Sequence, residues 1–389
     1  MNAPRLLGSA VRLLLLAVPL LLAPMTVSGQ DGDRVLHTIT TTAGTDRHLA
    51  VSLPASYSSV PDARFPVLYV LDGESNLDHA AAVATYLADA GVMPETIVVG
   101  LYGGTTRAVD YLPPTDVAGA QSGRADAFLR VLEGELIPFV DDVYRTGEFR
   151  MISGHSFGGV FVTWAAATRP NLFDAYLAQS PFVDESTGER VVAEFEARST
   201  STEVPDFYFA NVGAEPNLLS NVRRLGEIVV RHDDLQGGVV EEPVADHMLT
   251  RLVGLHDGLI GYFADLWSPN PSRLAEGGAP AFDAHLEQIE ARMGFLPPLG
   301  EAMYQRTIPV LLQSGDVESA RVVGQRYVDQ YPGAPTAHFL LGNVLAAAGD
   351  LEGALDSITT AIRVYEADPD PQLAALYPAM QALHAQLTG

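Results

Sequence analysis

The run Arg150-Met151-Ile152-Ser153-Gly154-His155-Ser156-Phe157-Gly158-Gly159 sets a serine between two glycines at the spacing Gly-x-Ser-x-Gly. An apolar, β-prone segment precedes it and a helical pattern follows, the context of a strained strand-to-helix turn. Gly154 and Gly158 are then required where backbone segments nearly touch, and the Ser156 hydroxyl is pushed out at the carboxyl edge of a sheet. Such a serine attacks acyl carbons, and the Phe157 N–H that opens the next helix points at the oxyanion that would form.

A serine hydroxyl needs a base, and the adjacent His155 is a poor one because neighbouring side chains on an extended turn diverge. In this arrangement the order along the chain is nucleophile, acid, histidine, so the base should follow the last strand. Ala245-Asp246-His247-Met248 lies in such a loop and supplies His247. The acid that would accept a hydrogen bond from His247 Nδ1–H is expected after the seventh strand, where Glu215 is the first carboxylate. Asp184 and Asp246 compete for that role, and a Ser-His dyad without an acid also stays open. A second oxyanion donor is expected from the turn Asp72-Gly73-Glu74, at the N–H of Gly73 or Glu74. Glu74 and Arg107 are candidate substrate-binding residues at the mouth of the site. Arg107 could meet an anionic acyl or leaving group, although an internal pair with Asp110 is the expected role.

These side chains need a scaffold that brings them to one edge. From Arg34 to Trp267 short β-branched or apolar runs alternate with helical patterns, the rhythm of a mostly parallel sheet with helices on both faces. The predicted strands are Val35–Thr41, His48–Leu53, Phe65–Leu71, Thr96–Gly100, Arg150–Gly154, Ala175–Ser180, Asp206–Val212 and Gly238–Val244. The first two are joined closely enough to read as a hairpin, which makes that edge antiparallel. Helices are predicted at Asp78–Ala90, Ala125–Tyr144, Phe157–Thr168, Leu218–His232 and Leu249–Trp267.

After Trp267 a cluster of Pro, Gly and Ser over residues 268–280 reads as a linker, and residues 281–389 read as a small all-α repeat domain. Within it Gly315-Asp316 recurs as Gly349-Asp350 and Ala320 as Ala354, a period of 34 residues. The period and the small-residue positions resemble tetratricopeptide repeats, a surface through which a protein partner could be engaged.

The chain has 389 residues, 48 acidic against 23 basic, and a net charge of −25; every basic residue is Arg. Such a polyanion is repelled by nucleic acid and by anionic membranes. With no cysteine, disulfides, thiol catalysis and thiolate metal sites are excluded, and the serine chemistry calls for no metal and no cofactor. Residues 1–29 carry Arg5 and Arg12, an apolar run of about eleven residues and small residues at Val27 and Gly29. They read as a secretory signal peptide, too short to span a membrane, which implies a periplasmic or secreted protein without stable membrane insertion after cleavage.

Six separated motifs in order carry a resemblance. They are Leu68-Tyr69-Val70-Leu71-Asp72-Gly73; Arg107-x-x-Asp110-Tyr111-x-Pro113; Glu133-x-Glu135-Leu136-Ile137-Pro138; Tyr144-Arg145-Thr146; Gly154-His155-Ser156-Phe157-Gly158-Gly159; and Ser180-Pro181. Together they resemble the esterase family of α/β-hydrolases that includes siderophore-ester hydrolases, feruloyl esterases and S-formylglutathione hydrolases. The resemblance covers Arg34 to Trp267 and implies an α/β-hydrolase fold and a Ser156–His247 pair, with Gly258-Leu259 also matching. It implies a small-molecule ester as substrate. A competing reading keeps the hydrolase domain as a silent scaffold that binds partners through its repeats, and a third is acyl transfer to an acceptor other than water.

Overall fold

The structure, a computed structural model, describes residues 34–114, 123–182, 184–199 and 203–389; the expected leader, residues 1–29, lies outside them. Eight strands form one sheet: β1 (Val35–Thr40), β2 (Asp46–Ser52), β3 (Phe65–Leu71), β4 (Ile97–Leu101), β5 (Thr146–His155), β6 (Ala175–Gln179), β7 (Phe207–Val212) and β8 (Gln236–Glu241). Their spatial order is β1-β2-β4-β3-β5-β6-β7-β8. β1 and β2 form the expected antiparallel hairpin, β2 runs antiparallel to β4, and the remaining neighbours are parallel. Every residue of β3, β4, β6 and β7 is buried. Strands shielded on both faces explain why the sequence shows continuous apolar runs there instead of alternation.

The helices in chain order are α1 (Gly73–Asp89), α2 (Arg107–Tyr111), α3 (Ala125–Val131), α4 (Ile137–Val143), α5 (Phe157–Thr168), α6 (Glu185–Ser199), α7 (Leu219–Arg231), α8 (Thr250–Trp267) and α9 (Pro271–Met293). They continue as α10 (Glu301–Ser314), α11 (Val317–Gln330), α12 (Pro335–Ala348), α13 (Leu351–Ala367) and α14 (Tyr377–Thr388). α1 packs with α8, while α5 packs with α2, α3 and α6, and α6 with α7.

Several boundaries differ from the sequence expectation, each for a local reason. α1 starts at Gly73 rather than Asp78, because the Asp72 carbonyl accepts the N–H groups of Ser75 and Asn76 and begins the helix. The predicted helix Ala125–Tyr144 is interrupted by a π turn at Leu132–Leu136, just before Pro138, which has no N–H to continue the ladder. The helical patterns predict no element at α6; Asp184 starts it by accepting the Thr187 N–H at 2.8 Å. β8 ends at Glu241, so the loop that carries His247 is longer than expected. Most of residues 268–280, which read as a linker, lie in the first part of α9. Asn270 caps α9 by accepting from Ser272 and Arg273 N–H, and the breakers appear as a kink at Gly278 (φ 61°, ψ −145°).

The described chain divides into two compact units, one ending at Arg306 and one from Thr307 to Gly389. The second is helical throughout. Its Gly-Asp steps act alike: Gly315 and Gly349 take left-handed φ of 86° and 82°, and Asp316 and Asp350 cap the next helix by accepting from Ser319 N–H and Gly353 N–H. Ala320 and Ala354 are fully buried, as their small size at the helix contacts requires. Among the described residues, no helix is long and apolar enough to cross a membrane.

Candidate active site

Parallel strands deliver their carboxyl ends to one edge, and the residues of interest emerge there in turn from β3, β5, β6, β7 and β8. Ser156 follows β5 with φ 60° and ψ −119°, a conformation that costs a non-glycine residue about 1–3 kcal/mol. Its N–H bonds the Gln179 carbonyl at the end of β6, and its carbonyl accepts from Val160 N–H. The glycines explain how the turn closes. A Cβ on Gly154 would lie 2.4 Å from the Gly158 oxygen, and one on Gly159 would lie 2.7 Å from Pro181 Cα. At Gly158 a Cβ would meet the side chains of Leu71, at 3.3 Å, and Asp72, at 3.7 Å, so the tightest positions are Gly154 and Gly159 rather than Gly154 and Gly158.

His247 stands on the loop between β8 and α8. Its Nδ1 and Glu215 Oε1 are 2.6 Å apart, a contact in which Nδ1–H donates to the carboxyl oxygen. Glu215 Oε2 accepts from the Ser180 hydroxyl at 2.6 Å and from Gly213 N–H at 3.3 Å. Ser180 is fully buried, in a left-handed conformation (φ 40°), and also contacts Thr250 Oγ1 at 2.8 Å. The rings of His247 and His155 lie 4.5 Å apart, which brings the residue before Ser156 against His247. His155 Nε2 donates to the His247 carbonyl at 2.6 Å. Burial, with the Arg251 charge, pushes the His155 pKa down to about 4, so this imidazole is neutral near pH 7.

The two alternative acids are engaged elsewhere. Asp184 accepts from Ser186 and Thr187 at the start of α6, and Asp246 accepts the backbone N–H groups of Met248 and Leu249.

Across the edge from His247, the turn from β3 into α1 places Asp72 in the left-handed region (φ 54°, ψ 47°). Gly73 follows, and a Cβ there would lie 2.4 Å from the Gly100 carbonyl carbon, so only glycine lets α1 start so close to β4. Ser75 and Asn76 donate to the Asp72 carbonyl, which leaves the first-turn N–H groups of Gly73 and Glu74 outside that bond. The Glu74 carboxylate accepts from Gly103 N–H and Gly104 N–H, both at 3.1 Å, and so holds the loop after β4.

Arg107 departs from the expected pairing. It grips Asp72, not Asp110, and its guanidinium sits 5.0 Å over the Phe157 ring. Asp110 points the other way and takes Arg47 at 2.7 Å and Arg124 at 3.2 Å. Burial raises the Asp72 pKa above the ordinary carboxylate range, and the Arg107 pairing only partly offsets this. Sequence reasoning missed Ser180, Thr250 and the Arg107–Asp72 pair as parts of this site; Ser180-Pro181 stood out as a motif without an assigned contact. Among the described residues no group of three or more His, Asp or Glu side chains is arranged to hold a metal ion.

Comparison with known proteins places this geometry in context. A family model described as "Putative esterase" matches residues 40–288. A siderophore triacetylfusarinine C esterase of Aspergillus fumigatus is 30% identical over 151 residues, covering 35% of this chain and 51% of that protein. The ferri-bacillibactin esterase BesA of Bacillus subtilis is 29% identical over 157 residues, covering 35% of this chain and 53% of that protein. The chain thus spans about half the length of these curated relatives. Among solved structures, an IroE-like serine hydrolase from Shewanella oneidensis superposes with a TM-score of 0.62 at 22% identity, over 75% of this chain and 98% of that one. The siderophore hydrolase EstB from Aspergillus nidulans does so at 0.54 and 22%, over 62% and 98%. At such identities the likeness is one of fold. The family match covers well over half of the sequence, on the part that builds the sheet and its carboxyl edge: the chain belongs to this esterase family, on the α/β-hydrolase fold.

Proposed function

We propose that the chain is an exported serine ester hydrolase working through an acyl-enzyme. Ser156 attacks the ester carbonyl while His247 Nε2 takes its proton; His247 then protonates the leaving alcohol, and the acyl-serine is hydrolysed by a water that His247 activates. Glu215 holds the imidazole in the Nδ1–H tautomer and stabilises the imidazolium. The N–H groups of Phe157 and Gly73 receive the oxyanion, each from the first turn of a helix whose amino end faces the edge. The observation that carries this reading is the 2.6 Å bond between His247 Nδ1 and Glu215, on a histidine whose ring packs against the residue preceding the strained serine.

Relatives named as siderophore esterases make siderophore-type esters the first natural substrates to try, with aryl esters beside them. We also propose that residues 1–29 are a cleaved secretory signal and that Val317–Ala367 forms a tetratricopeptide-like pair available to a protein partner. The test of the enzymatic reading is hydrolysis of p-nitrophenyl acetate and butyrate by the wild type and by Ser156→Ala. Activity in the wild type that disappears in the variant is expected; equal rates in both would remove the reading.

A further inference from the structure

The candidate mechanism leaves one motif residue unused. His155 is 7% exposed, adjoins Ser156, and bonds the backbone of the loop that carries His247. Because a carbonyl oxygen can only accept, the 2.6 Å contact fixes the His155 proton on Nε2. The same carbonyl lies 2.7 Å from Thr250 Oγ1, which looks like a second donor.

A proton count separates the two. The hydroxyls of Ser180 and Thr250 bring two protons to three contacts: Ser180 to Glu215, Ser180 to Thr250, and Thr250 to the His247 carbonyl. The Ser180 proton goes to the Glu215 carboxyl oxygen, and the single Thr250 proton is divided between Ser180 and the His247 carbonyl. His155 Nε2–H, by contrast, has the His247 carbonyl as its one acceptor among the described residues.

The loop needs such an anchor. Val244 is 92% exposed and Met248 53%, so few apolar contacts hold it. Upstream it is tied by Glu242 N–H to the Val212 carbonyl at 2.7 Å and by Ala214 N–H to the Ala245 carbonyl at 2.8 Å; the Asp246 carboxylate accepts from Met248 and Leu249 N–H, and its carbonyl from Thr250 N–H at the start of α8.

We propose that His155 is a positioning residue, which fixes the distance between Ser156 and His247 by clamping the His247 backbone carbonyl from the residue next to the nucleophile. The clamp rests on the Ser156–His247 reading above for its effect on turnover, though not for its effect on the loop. Kept neutral, the ring also avoids placing a positive charge against His247, which would weaken the base.

Two variants separate the N–H from the ring. His155→Leu keeps apolar bulk and removes the donor, whereas His155→Gln places an amide N–H near the Nε2 position. In Leu we expect kcat to fall about 10- to 100-fold with KM nearly unchanged, the size of a small misplacement of reacting groups, and Gln should recover most of it. Deuterium uptake over residues 242–249, read by mass spectrometry, should rise in Leu and stay near wild type in Gln. Wild-type turnover and uptake in both variants would overturn the proposal, and so would equal losses in both. An inactive wild type would remove the esterase reading alone, since the uptake comparison would still decide the clamp.

Discussion

Arg107 holds Asp72 through two parallel hydrogen bonds, Nε to Oδ1 at 2.6 Å and Nη2 to Oδ2 at 2.8 Å. The pair joins the β3–α1 turn to α2, while the same guanidinium covers the Phe157 ring and reaches the His155 carbonyl at 3.5 Å. Both proposed oxyanion donors thus depend on one planar fork, a geometry that an ammonium cannot reproduce. Arg107→Lys should lower kcat about 10-fold or more with a smaller change in KM. Steady-state kinetics on p-nitrophenyl butyrate would check this, and a variant that raised KM alone would assign Arg107 to substrate binding instead.

Glu215 accepts from His247, Ser180 and Gly213 at once, so its carboxylate is fixed before any substrate arrives. Glu215→Gln removes the charge that favours the imidazolium and should cut kcat by about a thousandfold. Ser180→Ala leaves the charge and loses one of the restraining bonds, so its effect should be closer to tenfold. The ranking is the test: a Ser180→Ala loss as large as that of Glu215→Gln would place the main burden on Ser180.

How much of this could be read beforehand depends on whether the signal was local. Continuous apolar runs in β3, β4, β6 and β7 announce strands covered on both faces, and the glycines around Ser156 announce a tight turn. Order along the sheet then brings the loops after β7 and β8 side by side, which puts Glu215 and His247 within reach. The sequence points Arg107 to Asp110 or to an anionic ligand, yet it bonds Asp72, 35 residues upstream. The contact between His155 and His247 spans 92 residues and follows from no spacing rule. The breakers near Gly278 mark a kink, because Asn270 supplies the cap that starts a helix there.

The elbow glycines differ in what an added methyl would strike. Gly159→Ala drives a Cβ into backbone atoms at 2.7 and 2.8 Å and should destabilise the chain by about 1–3 kcal/mol. Gly134→Ala, at an exposed helical site where nothing lies within 4 Å, should be neutral or stabilising by up to about 1 kcal/mol. Urea unfolding of the two variants against wild type provides the comparison, and equal destabilisation would count against the close approach of Gly159 to Pro181.

Acid sensitivity follows from two histidines. Burial pushes His79 down to about 4, helped by the Arg251 charge and opposed by Asp78, and His155 also lies at about 4, against an ordinary value of 6.5. Between those values the unfolded chain binds the protons that the folded chain refuses, so each histidine makes stability fall as pH drops from 6.5 towards 4. Above 6.5 both are neutral in either state and the effect vanishes. Buried carboxyls with raised pKa, Asp72, Asp89, Glu95 and Asp174, act in the opposite sense, since they bind protons more readily when folded. A difference measurement isolates one histidine. The stability of wild type relative to His79→Gln should decline on going from pH 7 to pH 4.5, by no more than about 1.4 kcal/mol per pH unit and less for a partly exposed ring. Urea titrations of both proteins at the two pH values would decide it; a constant difference would mean that His79 titrates normally in the fold.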